Sequence, residues 1–152
     1  MTLHVASADD MKQLGNRLGA CLRAGDVLAL IGELGSGKTT FTQGLATGLG
    51  VAPDRHVASP TFALVNQHPG RVPLVHADFY RIKDEAELRE LGLDEAFDHA
   101  AAAIEWADRF PGALPEDHLQ ISIATVASGR ELTLRPTGPR GAALIAALGP
   151  LG

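Results

Sequence analysis

The chain has 152 residues, a mass of 15.9 kDa and a formal net charge of −5 from 13 basic and 18 acidic side chains. That length builds one domain with a proper core over 1–152 and is too short for two, while 45% hydrophobic and 20% charged residues exclude a wholly disordered chain. Cys21 alone excludes an intrachain disulfide, and an acidic N-terminal segment without a long apolar run predicts neither a signal peptide nor a membrane partner, hence a soluble, cytoplasmic protein.

The segment from Leu3 to Ala6 reads as a short strand. Ser7, with Asp10 three residues on, opens a helix whose apolar stripe is Met11, Leu14, Leu18, Cys21 and Leu22. Val27 to Ile31 has no polar residue, as a strand buried on both faces should read. A glycine-rich loop follows, then a helix through Phe41, Leu45 and Leu49 that Gly50 stops. The stretch from Thr61 to Ile82 predicts strand, turn and strand: Phe62 to Val65, a turn at His68 to Arg71, then Val72 to Asp78. A polar helix is expected over 85–91 and a short buried strand over 101–106. Leu119, Ile121 and Ile123, then Leu132 and Leu134, alternate with polar neighbours as in an antiparallel hairpin with one solvated face. Leu144, Ile145 and Leu148 mark a last amphipathic helix. Alternating strands and helices followed by a hairpin predict an α/β fold, three-layered, with a mixed and partly antiparallel central sheet.

Three of the 17 glycines fall in GELGSGKT at 32–39, which satisfies the G-x-x-x-x-G-K-[ST] phosphate-loop pattern in full, behind a buried strand and ahead of a helix. Gly32, Gly35 and Gly37 let the backbone turn tightly enough for successive N–H groups, including that of Ser36, to face a phosphate chain. The helix N-terminus adds its positive end, Lys38 places a compact charge on the β/γ-phosphates, and the Thr39 hydroxyl is suited to Mg²⁺. Glu33 is unexpected in an anion cradle; it reads as pointing outward, with a catalytic role as the alternative. Such a site needs an acid at the end of a neighbouring strand, and two strands supply one: LVHAD ends in Asp78 and AAIE in Glu105. Spacing does not say which acid contacts the metal and which orients the attacking water. His76 alternates with Asp78 and is expected on its face, either as packing or in a functional role. Trp106, the only tryptophan, directly follows Glu105.

Four blocks in order carry a family resemblance: GELGSGKTTF at 32–41, SPTFALVN at 59–66, HADFYRI at 76–82 and IEWADRFPGALPEDHLQI at 104–121. With them the sequence resembles the TsaE (YjeE) family, the P-loop ATPases of bacterial threonylcarbamoyl-adenosine tRNA modification. The resemblance implies a P-loop NTPase-like fold, ATP rather than GTP, and Mg²⁺. It makes Lys38, Asp78 and Glu105 the catalytic residues and Thr39, Asp78 and Glu105 the metal-binding ones. Nucleotide contacts fall to Ser7, to Gly32, Gly35, Ser36, Gly37, Lys38, Thr39 and Thr40 of the loop, to Thr61 in a switch-like SPT segment, and to Trp106 and Arg130. The family tends to carry a threonine where this chain has Met11. It also implies TsaD and TsaB as partners, with tRNA reached through their complex and an ATPase cycle that resets them.

Other nucleotide-binding classes fit less well. No N-K-x-D motif reads guanine, and no L-S-G-G-Q signature marks an ABC-type ATPase. A small-molecule kinase remains the alternative enzyme, although the arginines are scattered rather than gathered in a lid; a nucleotide-gated binding module with little hydrolysis is the alternative non-enzyme. Residues 84–98 carry seven acids and one base, the pattern of a solvated helical face or of a docking surface for a basic partner.

Overall fold

The computed structural model describes residues 1–33, 35–55, 57 and 65–149. Seven strands form one mixed sheet. In chain order the elements are β1 (Thr2–Val5), α1 (Ala8–Gly19), β2 (Val27–Ile31), α2 (Lys38–Gly48), β3 (Val65–His68), β4 (Leu74–Asp78), α3 (Glu85–Glu90), α4 (Leu93–Phe97), β5 (Ala101–Glu105), β6 (Leu119–Val126), β7 (Gly129–Pro136) and α5 (Pro139–Leu148). Two 3₁₀ turns lie between β5 and β6. The strand order is β1-β7-β6-β2-β5-β4-β3. β6, β2, β5 and β4 run parallel at the centre, with antiparallel neighbours on both sides. The expected mixed α/β sheet is therefore present.

Each face of the sheet has its own apolar cluster, because side chains alternate along a strand. Leu28 and Leu30 of β2, with Ile121 and Ile123, pack against α1, α2 and α5. Val27, Ala29, Val75, Ala77, Ala102 and Ile104 face the other way, against the segment carrying α3, α4 and the 3₁₀ turns. This makes three layers. Met11, Leu14, Leu18 and Leu22 are buried as the periodicity predicts, and Ser7 Oγ accepts from the Asp10 amide to cap α1. Cys21 lies past the helix end and is partly exposed.

The structure shifts several boundaries. β1 ends at Val5 rather than Ala6; the polar helix expected over 85–91 is present as α3, and after Gly92 at φ +65° turns the chain the acidic segment continues in a second short helix, α4. The strand expected to start at Phe62 falls partly on residues outside those described; the described strand begins at Val65. The pairing of α1 with α2 was not anticipated. Gly15 and Gly19 of α1 meet Gly44 and Gly48 of α2 so closely that a Cβ on Gly44 would lie 2.3 Å from the Lys12 carbonyl oxygen. A Cβ on Gly15 would lie 2.4 Å from that of Phe41. These glycines let two helix backbones touch, which seats the first turn of α2 against the N-terminal part of the chain. α5 is fastened by Arg140, whose Nε and Nη2 donate to the buried Asp26 carboxylate at 2.7 and 2.8 Å. The Asp117 carboxylate accepts from the Arg140 and Gly141 amides, capping the helix from outside it.

Candidate active site

Open parallel sheets bind ligands beyond the carboxyl ends of their strands, and three adjacent strands here end in polar chemistry. β2 runs into the glycine-rich loop. β4 ends at Asp78 and β5 at Glu105, and these two acids are register partners, with Leu30 beside Glu105 on the other side. The predicted loop lysine and the two predicted acids, distant in sequence, thus converge at one end of the sheet.

The loop geometry follows from its glycines. Gly35 and Gly37 have φ of +80° and +111°, a region closed to most side chains, and a Cβ on Gly32 would meet Ser36 Oγ at 2.7 Å and Ile123 O at 2.8 Å. Gly37 is the N-cap of α2 and brings no side chain to cap it, so the first amides of the helix keep their donors for a ligand. Glu33 is exposed, as its outward reading expected, while its carbonyl accepts from the Ser36 amide. Lys38 is buried. Its Nζ donates to the Gly32 carbonyl and stands 4.5 Å from the centroid of the Trp106 ring. Trp106 is the one non-glycine among the described residues with positive φ, at +57°. That conformation, strained by about 1–3 kcal/mol, sets the indole over the lysine and 5.0 Å from the exposed Tyr80 ring.

Beside the loop, Ser7, Met11, Gly35, Ser36, Gly37, Thr40 and Arg130 share the lining of a groove of about 230 Å³. Arg130 braces the loop, its Nε donating to the Ser36 carbonyl at 3.0 Å. The structure thus brings Ser7, Thr40 and Arg130 to the loop's flank and Trp106 to its lysine. Thr61 and the SPT segment lie outside the described residues.

Two carboxylates at adjoining register positions repel each other. Burial, then the Glu105 charge, push the Asp78 pKa above the ordinary carboxylate value, opposed by the Tyr80 amide (2.9 Å), His76 and Lys38. The stability of the neutral Asp78 carboxyl is therefore lost as pH rises through that elevated value. A divalent cation would relieve the same strain. No group of three or more His, Cys, Asp or Glu among the described residues forms a closed metal cage. That donor set fits Mg²⁺, which usually takes one or two carboxylates and completes its shell with water and substrate phosphates.

The sequence left the role of His76 open between packing and function. The structure buries it fully and places its Nε2 2.7 Å from Glu105 Oε2. His68, also buried, takes a hydrogen bond at Nδ1 from Arg55 Nε at 2.8 Å; sequence reasoning assigned neither residue a role at the site. Burial, then Arg55, then His76 hold the His68 pKa below the ordinary 6.5. A depressed histidine value favours the fold above 6.5, and that stability is lost as pH falls through 6.5 toward the folded value. Urea unfolding from about pH 7.5 to about pH 5.5 is expected to show a falling midpoint, less steep in His68→Gln. Parallel pH slopes in the two proteins would contradict this assignment.

With this geometry in place, comparison with known proteins is decisive. The family model "Threonylcarbamoyl adenosine biosynthesis protein TsaE" matches residues 5–132, from the end of β1 into β7. The chain belongs to the TsaE family. Its role lies in tRNA threonylcarbamoyladenosine biosynthesis. The TsaE protein of Bacillus subtilis is 42% identical over 135 residues, covering 87% of this chain and 83% of the relative. That of Streptomyces coelicolor is 44% identical over 117 residues, covering 74% and 78%. The crystal structure of Bacillus subtilis YdiB superposes with a TM-score of 0.83 at 34% identity, covering 97% of this chain and 93% of that one. The fold is thus the P-loop NTPase-like one that the TsaE resemblance implied. Among the described residues no helix is long and apolar enough to cross a membrane.

Proposed function

We propose that this TsaE-family protein is a Mg²⁺-dependent ATP-binding and ATP-hydrolysing accessory protein of the threonylcarbamoyladenosine modification complex, its ATPase cycle resetting a TsaD–TsaB pair that handles the tRNA. The observation that carries this reading is the convergence of Lys38, Asp78 and Glu105 at the ends of adjacent parallel strands, below an uncapped helix N-terminus. The loop amides and Lys38 cradle the triphosphate, and the groove beside Ser7, Thr40 and Arg130 takes the nucleoside end.

Thr39, Asp78 and Glu105 are the residues that would hold Mg²⁺, which when bound supplies charge neutralisation at the β- and γ-phosphate oxygens. Lys38 gains a charged acceptor in place of the Gly32 carbonyl, so its ammonium shifts from the indole face toward the phosphate. Glu105, gripped by His76, is held where it can orient a water for in-line attack or share the metal with Asp78. Arg130 and Arg109 are committed to backbone carbonyls, of Gly35 and Ser36 and of Phe79 and Tyr80. A transition-state cation supplied by a partner fits that arrangement, and with it slow turnover by the protein alone.

Phosphate release measured with and without TsaD, TsaB and tRNA tests the reading. Turnover is expected to be slow alone and to rise by at least about tenfold with the partners. Stoichiometric phosphoryl transfer to a metabolite would make the protein a kinase, and binding without turnover in the full complex would make it a nucleotide-gated module. Either result would replace the proposal.

A further inference from the structure

The face of the sheet that carries Asp78 and Glu105 holds a second set of polar groups directly behind them. On β4 the residues pointing to this face are Leu74, His76 and Asp78; on β3, paired antiparallel, His68 stands opposite Leu74 and Asn66 opposite His76. His68 is therefore the diagonal same-face neighbour of His76, a separation of about 7–8 Å between backbones that long side chains bridge.

Each ring has one nitrogen whose role its partner dictates. Arg55 Nε has only hydrogens to offer, so His68 Nδ1 is the lone-pair nitrogen and His68 Nε2 carries the hydrogen. Glu105 Oε2, as a carboxylate, only accepts, so His76 Nε2 carries the hydrogen there and the neutral ring presents a lone pair at Nδ1. The two nitrogens left over, His68 Nε2 and His76 Nδ1, are both buried and have no hydrogen-bond partner among the described residues. One is a donor and the other an acceptor. Leaving both unmade is costly; they do not bond each other directly, and a buried water between them would satisfy both.

We propose that His76 is a positioning residue for Glu105, fixed in its Nε2–H tautomer by a buried hydrogen-bond chain running Arg55–His68–water–His76–Glu105. The chain begins in the loop that follows α2, where Arg55 also donates to the Gln67 carbonyl at 2.6 Å, and ends on the acid beside the phosphate loop. Through the His76 Nε2–Glu105 Oε2 bond it holds the carboxylate in one rotamer at the end of β5, beside Asp78. Its contribution to hydrolysis rests on the role of Glu105 proposed above, whereas the chain itself does not.

The test therefore has two arms. Nitrogen-15 spectra of the nucleotide-free protein, with the six histidines assigned, are expected to show His68 and His76 as Nε2–H tautomers with hydrogen-bonded Nδ1. Arg55→Ala is expected to shift the His76 signals as well as those of His68. A His76 ring protonated at Nδ1 in its neutral form, or one indifferent to Arg55→Ala, would overturn the chain without reference to any activity. In the second arm, His76→Leu is expected to lower kcat for ATP hydrolysis by about tenfold while KM for ATP changes less than about twofold. His76→Gln, whose amide nitrogen can reach the place of Nε2, is expected to restore most of kcat. Glu105→Gln serves as the reference. If that change stops hydrolysis while His76→Leu does not, the positioning role is wrong. If Glu105→Gln leaves hydrolysis intact, the proposed role of Glu105 falls and the positioning role with it, while the spectra still decide the chain.

Discussion

Lys38→Ala is expected to reduce productive ATP binding and hydrolysis by at least about a hundredfold while leaving the protein as stable as before, or more so. Lys38 is buried, and its ammonium has been removed from water for a backbone carbonyl and an indole face. Those partners compensate a buried cation poorly, so truncation relieves a desolvation cost at the same time as it removes the charge meant for phosphate. The same logic applies at the two acids. Burial and the neighbouring Glu105 disfavour the ionised Asp78, so Asp78→Ala and Glu105→Ala should impair hydrolysis far more than folding. Nucleotide affinity, phosphate release and thermal unfolding measured together make the check. A hydrolysis defect that merely tracked lost stability, or wild-type turnover in either carboxylate variant, would remove these residues from the site. Binding also has an optical readout, because Trp106 is the only tryptophan and lies over Lys38. Its emission should respond to ATP in the wild type and not in Lys38→Ala.

The second large effect is on folding. In the middle of a helix, glycine to alanine ordinarily gains about 1 kcal/mol from backbone entropy alone. At Gly44 the sign is expected to reverse. The added methyl would sit 2.3 Å from the Lys12 carbonyl oxygen and 3.0 Å from the Lys12 Cα and carbonyl carbon, all backbone atoms that no rotamer change can move aside. Helices α1 and α2 must then part, opening the cluster where Leu14 and Leu18 meet Phe41 and Leu45. A loss of about 3 kcal/mol follows, which in a chain of this size lowers the melting temperature by roughly 10 °C. Gly112→Ala, at a position with open space and ordinary φ, is the control and should change little. A Gly44→Ala protein as stable as wild type would show that the helices do not pack backbone to backbone. Because α2 begins at the phosphate loop, weaker nucleotide binding should accompany the loss of stability.

Much of this was legible in the order of residues. The phosphate-loop pattern is a local device: its glycines, lysine and threonine fall within one strand–turn–helix unit, so eight consecutive residues specify it. Asp78 and Glu105 were readable for a related reason, since each ends a short, largely apolar run that reads as a buried strand. The four ordered blocks added the family, and with it ATP, magnesium and partners as expectations. What one dimension cannot carry is contact between segments. His76 was visible as an alternating residue, but its bond to Glu105 depends on β4 and β5 being neighbours in a given register. His68 read as a turn residue and is instead the buried last residue of the edge strand β3. The facing glycines of α1 and α2 carry no local signal of their partnership, and the stacking of Trp106 on Lys38 depends on β5 lying next to β2.

By itself, then, the sequence determined the phosphate-loop pattern, the α/β alternation and the family, because these depend on short-range geometry and residue type. Only the tertiary structure decided that two acids 27 positions apart stand side by side, that a histidine grips one of them, and that the loop lysine lies beneath an indole. Those arrangements are set by strand order and register and by the close approach of backbones, and such long-range pairings are chosen by the packing of the whole core rather than by any local run of residues.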